Sequence, residues 1–303
     1  MSSKDVKTYN TEAFKDRFMQ HQDQLENMLR NDFGKFFMVR VEEMFRLMKL
    51  PVPPTRATTH TIIFITEGEA NMHIGSETFK IFKNECLVVP AGQVFSFASP
   101  DVNKGYLCNF HHDFIIGKFG KSELLKDFEF LTVWGNPHIR LSAENADFTE
   151  QLFKRILRDY LENGLKNIDI LQPSFIAILC ELNHAYKPLS DSAQTFAVNI
   201  TVRFKALLSA HFKSSQQVSD YAVMLSITPN HLNKCLRAIT GKSPTKWIDE
   251  AIILEAKVLL SQTALSVNEI TTELGLSDPS YFSRFFRKYE GRTPLEFRKH
   301  IGH

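Results

Sequence analysis

Cysteine is scarce in this chain of 303 residues: four are present, Cys86, Cys108, Cys180 and Cys235, and no two share a CxxC spacing. That scatter argues against a disulfide framework or a zinc knot and for buried, reduced thiols. Long apolar runs are missing too. No stretch approaches the roughly 20 residues of a membrane helix. The polar start Met1-Ser2-Ser3-Lys4-Asp5 does not read as a secretory signal, so a cytoplasmic protein with no membrane partner is expected. A Walker loop, a dinucleotide-binding glycine fingerprint and a Ser-His-Asp arrangement are also absent. Eleven histidines are present, but only His111-His112-Asp113 is dense, and His60 and His73 are isolated. On a strand, adjacent His111 and His112 would face opposite sides, so one at most could enter a barrel. A catalytic metal is therefore disfavoured, no cofactor is expected, and the chain does not read as an enzyme.

What is there suits a soluble, globular protein, with 43% hydrophobic and 23% charged residues, and the length suits two domains. The net charge of +2 hides an asymmetry. From Thr195 onward there are 14 Lys+Arg against 9 Asp+Glu, while the preceding part holds 22 against 25. A basic tail on a slightly acidic body fits a polyanion partner at one end, although an excess this small is also an ordinary solvated face.

Along the chain, residues 1–34 are polar, with a helix expected over about 14–29 ending near Gly34. Short strands follow, at 36–41, 60–66, 70–74, 77–82, 85–90, 94–98 and 104–110. Turn signals such as Glu67-Gly68-Glu69, Gly75-Ser76 and Lys83-Asn84 separate them, a rhythm that argues a small antiparallel barrel or jelly roll. Over about 145–187 the period turns helical. Phe148, Leu152, Ile156 and Tyr160 line one stripe; Phe175, Ile178, Leu179 and Leu182 line another; Gly164 and Pro173 punctuate the pair. Such stripes either cover a barrel or form a helix–helix seam between two copies. Residues 188–195, polar and Ser-rich, suit a linker.

The most informative stretch runs from Asp278 to Tyr289. Asp278 is placed to N-cap a helix and Pro279 to open it. Phe282, Phe285, Phe286 and Tyr289 then fall at i, i+3, i+4 and i+7, leaving Ser280, Ser283, Arg284, Arg287 and Lys288 for the other faces. Ser266-Val267-Asn268-Glu269 reads as a capping box opening a shorter helix that ends near Gly275. Helix, tight glycine turn and second helix with exposed basic residues make a helix-turn-helix. A second copy lies upstream: Val218, Tyr221, Ala222 and Leu225, then Ser226-Ile227-Thr228, then a helix over 229–240 with Leu232, Leu236 and Ile239 inward. Gly241-Lys242-Ser243-Pro244 echoes Gly291-Arg292-Thr293-Pro294 at a spacing of 50 residues, an internal duplication, and a helix over about 247–260 would join the units.

Ile270, Leu274-Gly275-Leu276, the run from Ser280 to Lys288 and Gly291-Arg292-Thr293-Pro294 resemble the C-terminal signature of AraC/XylS-type transcription regulators. Less tightly, Gly68…Gly75…Val88-Val89-Pro90-Ala91-Gly92 is similar to the cupin-like sensing domain that often precedes that unit. The resemblance implies an α+β chain. A cupin-like β-barrel with flanking helices (1–187) would precede an all-α DNA-binding domain of two helix-turn-helix units (196–303). It implies double-stranded DNA as partner, with Asn230, Asn233 and Lys234 of the first unit and Ser280, Ser283 and Arg284 of the second as base readers. Asn suits adenine, and Arg or Lys suits guanine or phosphate; Arg237 and Arg287, a turn further on, would meet phosphate. It further implies a small-molecule effector in the barrel, or a barrel serving only dimerisation. A homodimer through the helices of 145–187, and RNA polymerase as a partner if the protein is an activator, complete the set. A metal enzyme of the cupin type tethered to DNA is a rival, but the histidine expected a few residues after Pro90 is missing, and Phe95 cannot bind a metal. Ile252 stands where the family usually has Arg, and Cys235 and Leu236 where an aromatic is common.

Overall fold

The computed structural model describes residues 8–20, 29, 34–97, 102–116, 128–133, 135–186 and 196–301. The expected linker falls outside them. Two compact units emerge, one holding most of the chain before Leu189 and one holding the chain from Leu189 onward.

The first unit is built on an antiparallel sheet. Its strands are β1 (Phe36–Arg40), β2 (Val52–Thr55), β3 (His60–Ile74), β4 (Glu77–Phe82), β5 (Glu85–Val89), β6 (Phe95–Phe97), β7 (Asn103–Phe110) and β8 (His138–Arg140). The order β1-β7-β3-β5-β8 is an open path, with β4 and β6 pairing the far end of β3, so among the described residues the sheet does not close into the expected barrel. The segment Glu67-Gly68-Glu69 is not a turn. β3 runs through it for 15 residues, bent by a bulge between Ile65 and Glu67, and so exchanges its partners β5 and β7 for β4 and β6.

Alternation along the strands sorts the side chains onto two faces. On one face, Tyr106 and Phe64 stack against Phe153 at ring distances of 5.2 and 5.5 Å, and Phe36 and Phe110 meet Phe175 at 5.4 and 4.8 Å. Phe153 belongs to helix α4 (Ala143–Asn163) and Phe175 to α5 (Ile168–Ala185). The buried stripe of α4 is Ala146, Thr149, Phe153, Ile156 and Tyr160, so Phe148 is outside it and 58% exposed. The expected stripe was one residue out of phase at its start: Phe148 is a helical neighbour of Leu152 but not of the sheet-facing Phe153. Pro173 lies inside α5 rather than at its start, while Gly164 does terminate α4.

The opposite face borders a cavity lined mainly by apolar side chains and closed in part by α1 (Thr11–Phe18) and α2 (Val41–Leu47). Helix α1 starts earlier and stops sooner than the sequence suggested. Asn10 caps it by accepting the Ala13 N–H at 2.8 Å, and Met19 is extended and bridges Met48. Residues 21–28 of the expected helix lie outside the described residues. The helix α2 was missed because Val41, Met44 and Leu47 follow a strand without any breaker.

His111 and His112 also depart from expectation. β7 ends at Phe110; His111 caps, and His112 opens, the four-residue helix α3 (His112–Ile115). The two rings therefore lie on one side, 4.0 Å apart, and with Asp113 they bring ligand atoms within 4.8 Å of one another at the surface. Cys86, Cys108 and Cys235 are buried, Cys180 is partly so, and all four are free thiols. No helix among the described residues is long and apolar enough to cross a membrane.

Candidate nucleic-acid interface

The second unit is helical: α6 (Phe196–His211), α7 (Val218–Met224), α8 (Pro229–Thr240), α9 (Pro244–Gln262), α10 (Val267–Glu273), α11 (Pro279–Glu290) and α12 (Pro294–Ile301). The pairs α7/α8 and α10/α11 are built alike from the backbone up. Each first helix opens on a reciprocal capping box, Gln217 with Asp220 and Ser266 with Glu269. Each ends in the same two hydrogen bonds. Ser226 and Ile227 N–H donate to the Val223 and Ala222 carbonyls, and Gly275 and Leu276 N–H to the Thr272 and Thr271 carbonyls, the Schellman arrangement. Each second helix is capped by a side chain, Thr228 accepting the His231 N–H and Asp278 that of Ser280, and carries proline at its start. The Ser243-Pro244 cap of α9 extends that helix beyond the expected 247–260.

The left-handed position after the first helix is filled differently in the two units: Ser226 at φ 57° and Gly275 at φ 73°. A serine there has a β-carbon crowding its own carbonyl. Ser226→Gly is expected to raise stability by about 0.5–1 kcal/mol, read from thermal or urea unfolding. Lower stability would show that the serine side chain makes up for the strain.

The recognition helices are clamped at their inner faces. In α8 the buried residues are Leu232, Cys235 and Leu236; in α11, at the same positions, Phe282, Phe285 and Phe286. The aliphatic first unit is fully buried at Leu232 and Leu236, so the absence of aromatics there leaves no gap to solvent. Helix α9 sits at the centre and buries thirteen of its residues, Ile252 among them; an Arg at that position would put a charge into the core. It holds both units. Trp247 Nε1 donates to Thr240 Oγ1 at 3.1 Å, Tyr289 O–H donates to Asp249 Oδ2 at 2.6 Å, and Lys257 pairs with Glu290 at 3.1 Å. Burial raises the pKa of both Tyr289 and Asp249; for Asp249 it outweighs the opposing effect of the Tyr289 hydrogen bond.

The outward faces match residue for residue. From His231 to Thr240 and from Tyr281 to Glu290 the sequence of buried, half-buried and exposed positions is identical. Asn230 with Ser280, Lys234 with Arg284, and Arg237 with Arg287 are exposed pairs at the 50-residue spacing; Asn233 and Ser283 are half-buried. Two of these side chains are already engaged. Asn233 Oδ1 accepts from Arg237 Nε at 3.2 Å, and Ser283 O–H donates to the Pro279 carbonyl at 2.9 Å. Bidentate reading of adenine by Asn233 would therefore require Arg237 to release it, and Ser283 is left to accept. Arg284 forms no ion pair among the described residues. The same spacing aligns His231 with Tyr281, exposed beside the expected readers, which the sequence reading passed over although the repeat itself marked them. Tyr281 is 49% exposed and stacks on Phe285 at 5.8 Å.

A helix-turn-helix domain family matches residues 221–300. An uncharacterised helix-turn-helix-type transcriptional regulator of Bacillus subtilis is 32% identical over 92 residues, 30% of this chain and 32% of that protein. The chain thus spans about a third of that relative's length. The arabinose operon regulatory protein of Salmonella typhimurium is 28% identical over 76% of this chain and 80% of its own length. Among solved structures, that of ToxT from Vibrio cholerae is similar over 83% of this chain and 92% of its own, with 13% identity and a TM-score of 0.44.

Proposed function

We propose, on the premise that this chain is a member of the AraC/XylS family of helix-turn-helix regulators, that it is a transcription regulator binding specific sequences of double-stranded DNA through α8 and α11 together. The observation that carries the reading is the identical exposure pattern of the two helices, each presenting polar or basic residues outward at matched positions. Asn230, Asn233 and Lys234 would read one major-groove segment, and Ser280, Ser283 and Arg284 the next, about 34 Å along the duplex. Arg237 and Arg287, one turn further along, would contact phosphate and give the binding its salt dependence. The relatives are named as regulators, and no catalytic family enters the reading.

The first unit would be the cupin-like sensor, its cavity the place for a small-molecule effector. Binding would alter DNA affinity only insofar as the effector favours one of two states. Exposed Phe148, Leu161, Ile168 and Ile170 on α4 and α5 favour a homodimer through these helices, which is also the basis of the second reading, a first unit that only dimerises. RNA polymerase would be a partner if the protein activates.

The test is selection from a random DNA library with the full-length protein and with Arg284→Ala. Two half-sites about one helical turn apart are expected. Losing the Arg284 contact should weaken binding by about 1–3 kcal/mol and relax specificity in one half alone. Uniform, salt-sensitive binding without a motif would leave only a basic domain and overturn the reading.

A further inference from the structure

Where β7 gives way to α3, three side chains that the DNA-reading unit does not use turn toward one another. His111 Nδ1 lies 3.2 Å from Asp113 Oδ2, and His112 Nε2 lies 3.2 Å from Asp113 Oδ1, so one carboxylate faces both rings. One ligand atom from each residue falls within 4.8 Å of the other two. On a continuing strand the two histidines would face opposite sides. The turn into α3 sets them on one side instead, with ring centres 4.0 Å apart.

The backbone that carries them is held from beneath. His111 N–H donates to the Lys35 carbonyl at 2.8 Å, and Phe114 and Ile115 are buried. Gln172 Nε2, from α5, donates to the carbonyls of both, at 2.8 and 3.1 Å, and the Phe114 ring stacks on Phe36 at 4.3 Å. The side chains themselves stay open to solvent, His111 half-buried and His112 and Asp113 exposed. A fixed base under reachable ligands is what a preorganised metal site needs. We propose that His111, His112 and Asp113 bind one divalent transition-metal ion of the zinc class.

The donor set selects the ion. Two imidazoles and a carboxylate suit zinc and its neighbours, whereas magnesium and calcium take oxygen donors. Ligands about 2.1 Å from a tetrahedral ion stand roughly 3.4 Å from one another. Both nitrogen–carboxylate separations are already that short, and a small rotation of the rings brings the two nitrogens as close. The Asp113 N–H, which reaches His111 Nδ1 at 3.3 Å, would yield that nitrogen to the ion. Three protein ligands leave a fourth position to water. The ion would tie the end of β7 to the start of α3 and stabilise the first unit by mass action.

Calorimetric titration of the untagged, metal-stripped full-length protein with zinc chloride tests this. One ion is expected to bind with micromolar affinity, and magnesium at the same concentrations is expected not to bind. His112→Ala and Asp113→Asn should each weaken zinc binding at least about tenfold. His73→Ala, which removes a ring bonded to Thr78 at 2.7 Å on another part of the sheet, should leave it unchanged. At a hundredfold excess of zinc over Kd the parent should melt about 5 °C higher, and neither ligand variant should follow it. Without metal the two variants should melt with the parent, since exposed ion pairs contribute little. Absence of zinc binding up to millimolar concentration would overturn the site. So would binding that His112→Ala and Asp113→Asn leave intact, which would put the ion elsewhere. Variants that melt lower without metal, beside a parent indifferent to zinc, would reduce the three residues to an ordinary ion-pair cluster.

Discussion

Gly275→Ala is expected to destabilise the C-terminal unit by about 3 kcal/mol or more and to abolish specific DNA binding, whereas Gly291→Ala should cost only about 1 kcal/mol. The two glycines share one backbone conformation, φ 73° in each. They differ in what surrounds them. A β-carbon on Gly291 would meet nothing within 4 Å, while one on Gly275 would run into the Lys213 carbonyl. That carbonyl cannot move aside cheaply. Gln216 Nε2, three residues on, donates to the Leu274 carbonyl at 2.7 Å, and Lys213 itself is tied to the buried Glu255 at 2.7 Å. The left-handed penalty is common to both substitutions, so the difference between them isolates the close approach. Urea unfolding of both full-length variants, with DNA affinity measured alongside, gives the comparison. Equal costs would mean that the segment around Lys213 yields, and that the turn does not depend on it.

Between about pH 6.5 and 4 the first unit is expected to lose up to about 3 kcal/mol of stability through His60 alone. The side chain is 8% exposed, and its Nδ1 accepts the Ala91 N–H at 3.1 Å, which holds the ring neutral with its proton on Nε2. Its face stacks on Phe110 at 5.1 Å. Burial, with lesser contributions from His112 and His111, lowers its pKa to about 4. The unfolded chain takes up a proton near pH 6.5 that the folded chain refuses until about pH 4, so acidification through that window favours unfolding. His60→Asn keeps an acceptor for Ala91 and removes the titration. Melting curves at stepwise lower pH should then diverge, the parent falling faster than the variant. Parallel curves would show that the ring protonates in place.

The C-terminal unit was legible in the sequence because its signals are local. Capping residues, proline at the helix start, glycine after the helix and an i, i+3, i+4 stripe act within one or two turns, and the duplication states them twice. Helix α8 was found residue for residue. The first unit was harder. Its strands were found where turn residues bound them, as in β4, but Gly68 lies within β3, just past the bulge at Thr66, and not in a turn, a distinction that depends on which strands β3 pairs on either side. Helix α2 lies where no breaker announces a change, strand β8 was missed at only three residues although Gly135-Asn136-Pro137 precedes it, and Phe148 fell into the wrong stripe because spacing alone does not say which face meets the sheet.

The sequence by itself determined the paired helix-turn-helix units, the outward placement of Lys234, Arg237, Arg284 and Arg287, and the alternation that gives the sheet two faces. These follow from backbone preferences and hydrophobic period, which each segment carries within itself. Only the tertiary structure decided that Asn233 is held by Arg237 and that Ser283 is bonded back to its own helix. It alone decided that Gly275 faces a carbonyl, and that Asn109 of β7 lies beside Phe37 and Thr61 on the floor of an apolar cavity. Those facts join residues far apart in the chain, and the free energy that sets them is that of packing and of polar groups met or left unmet, which no single segment contains.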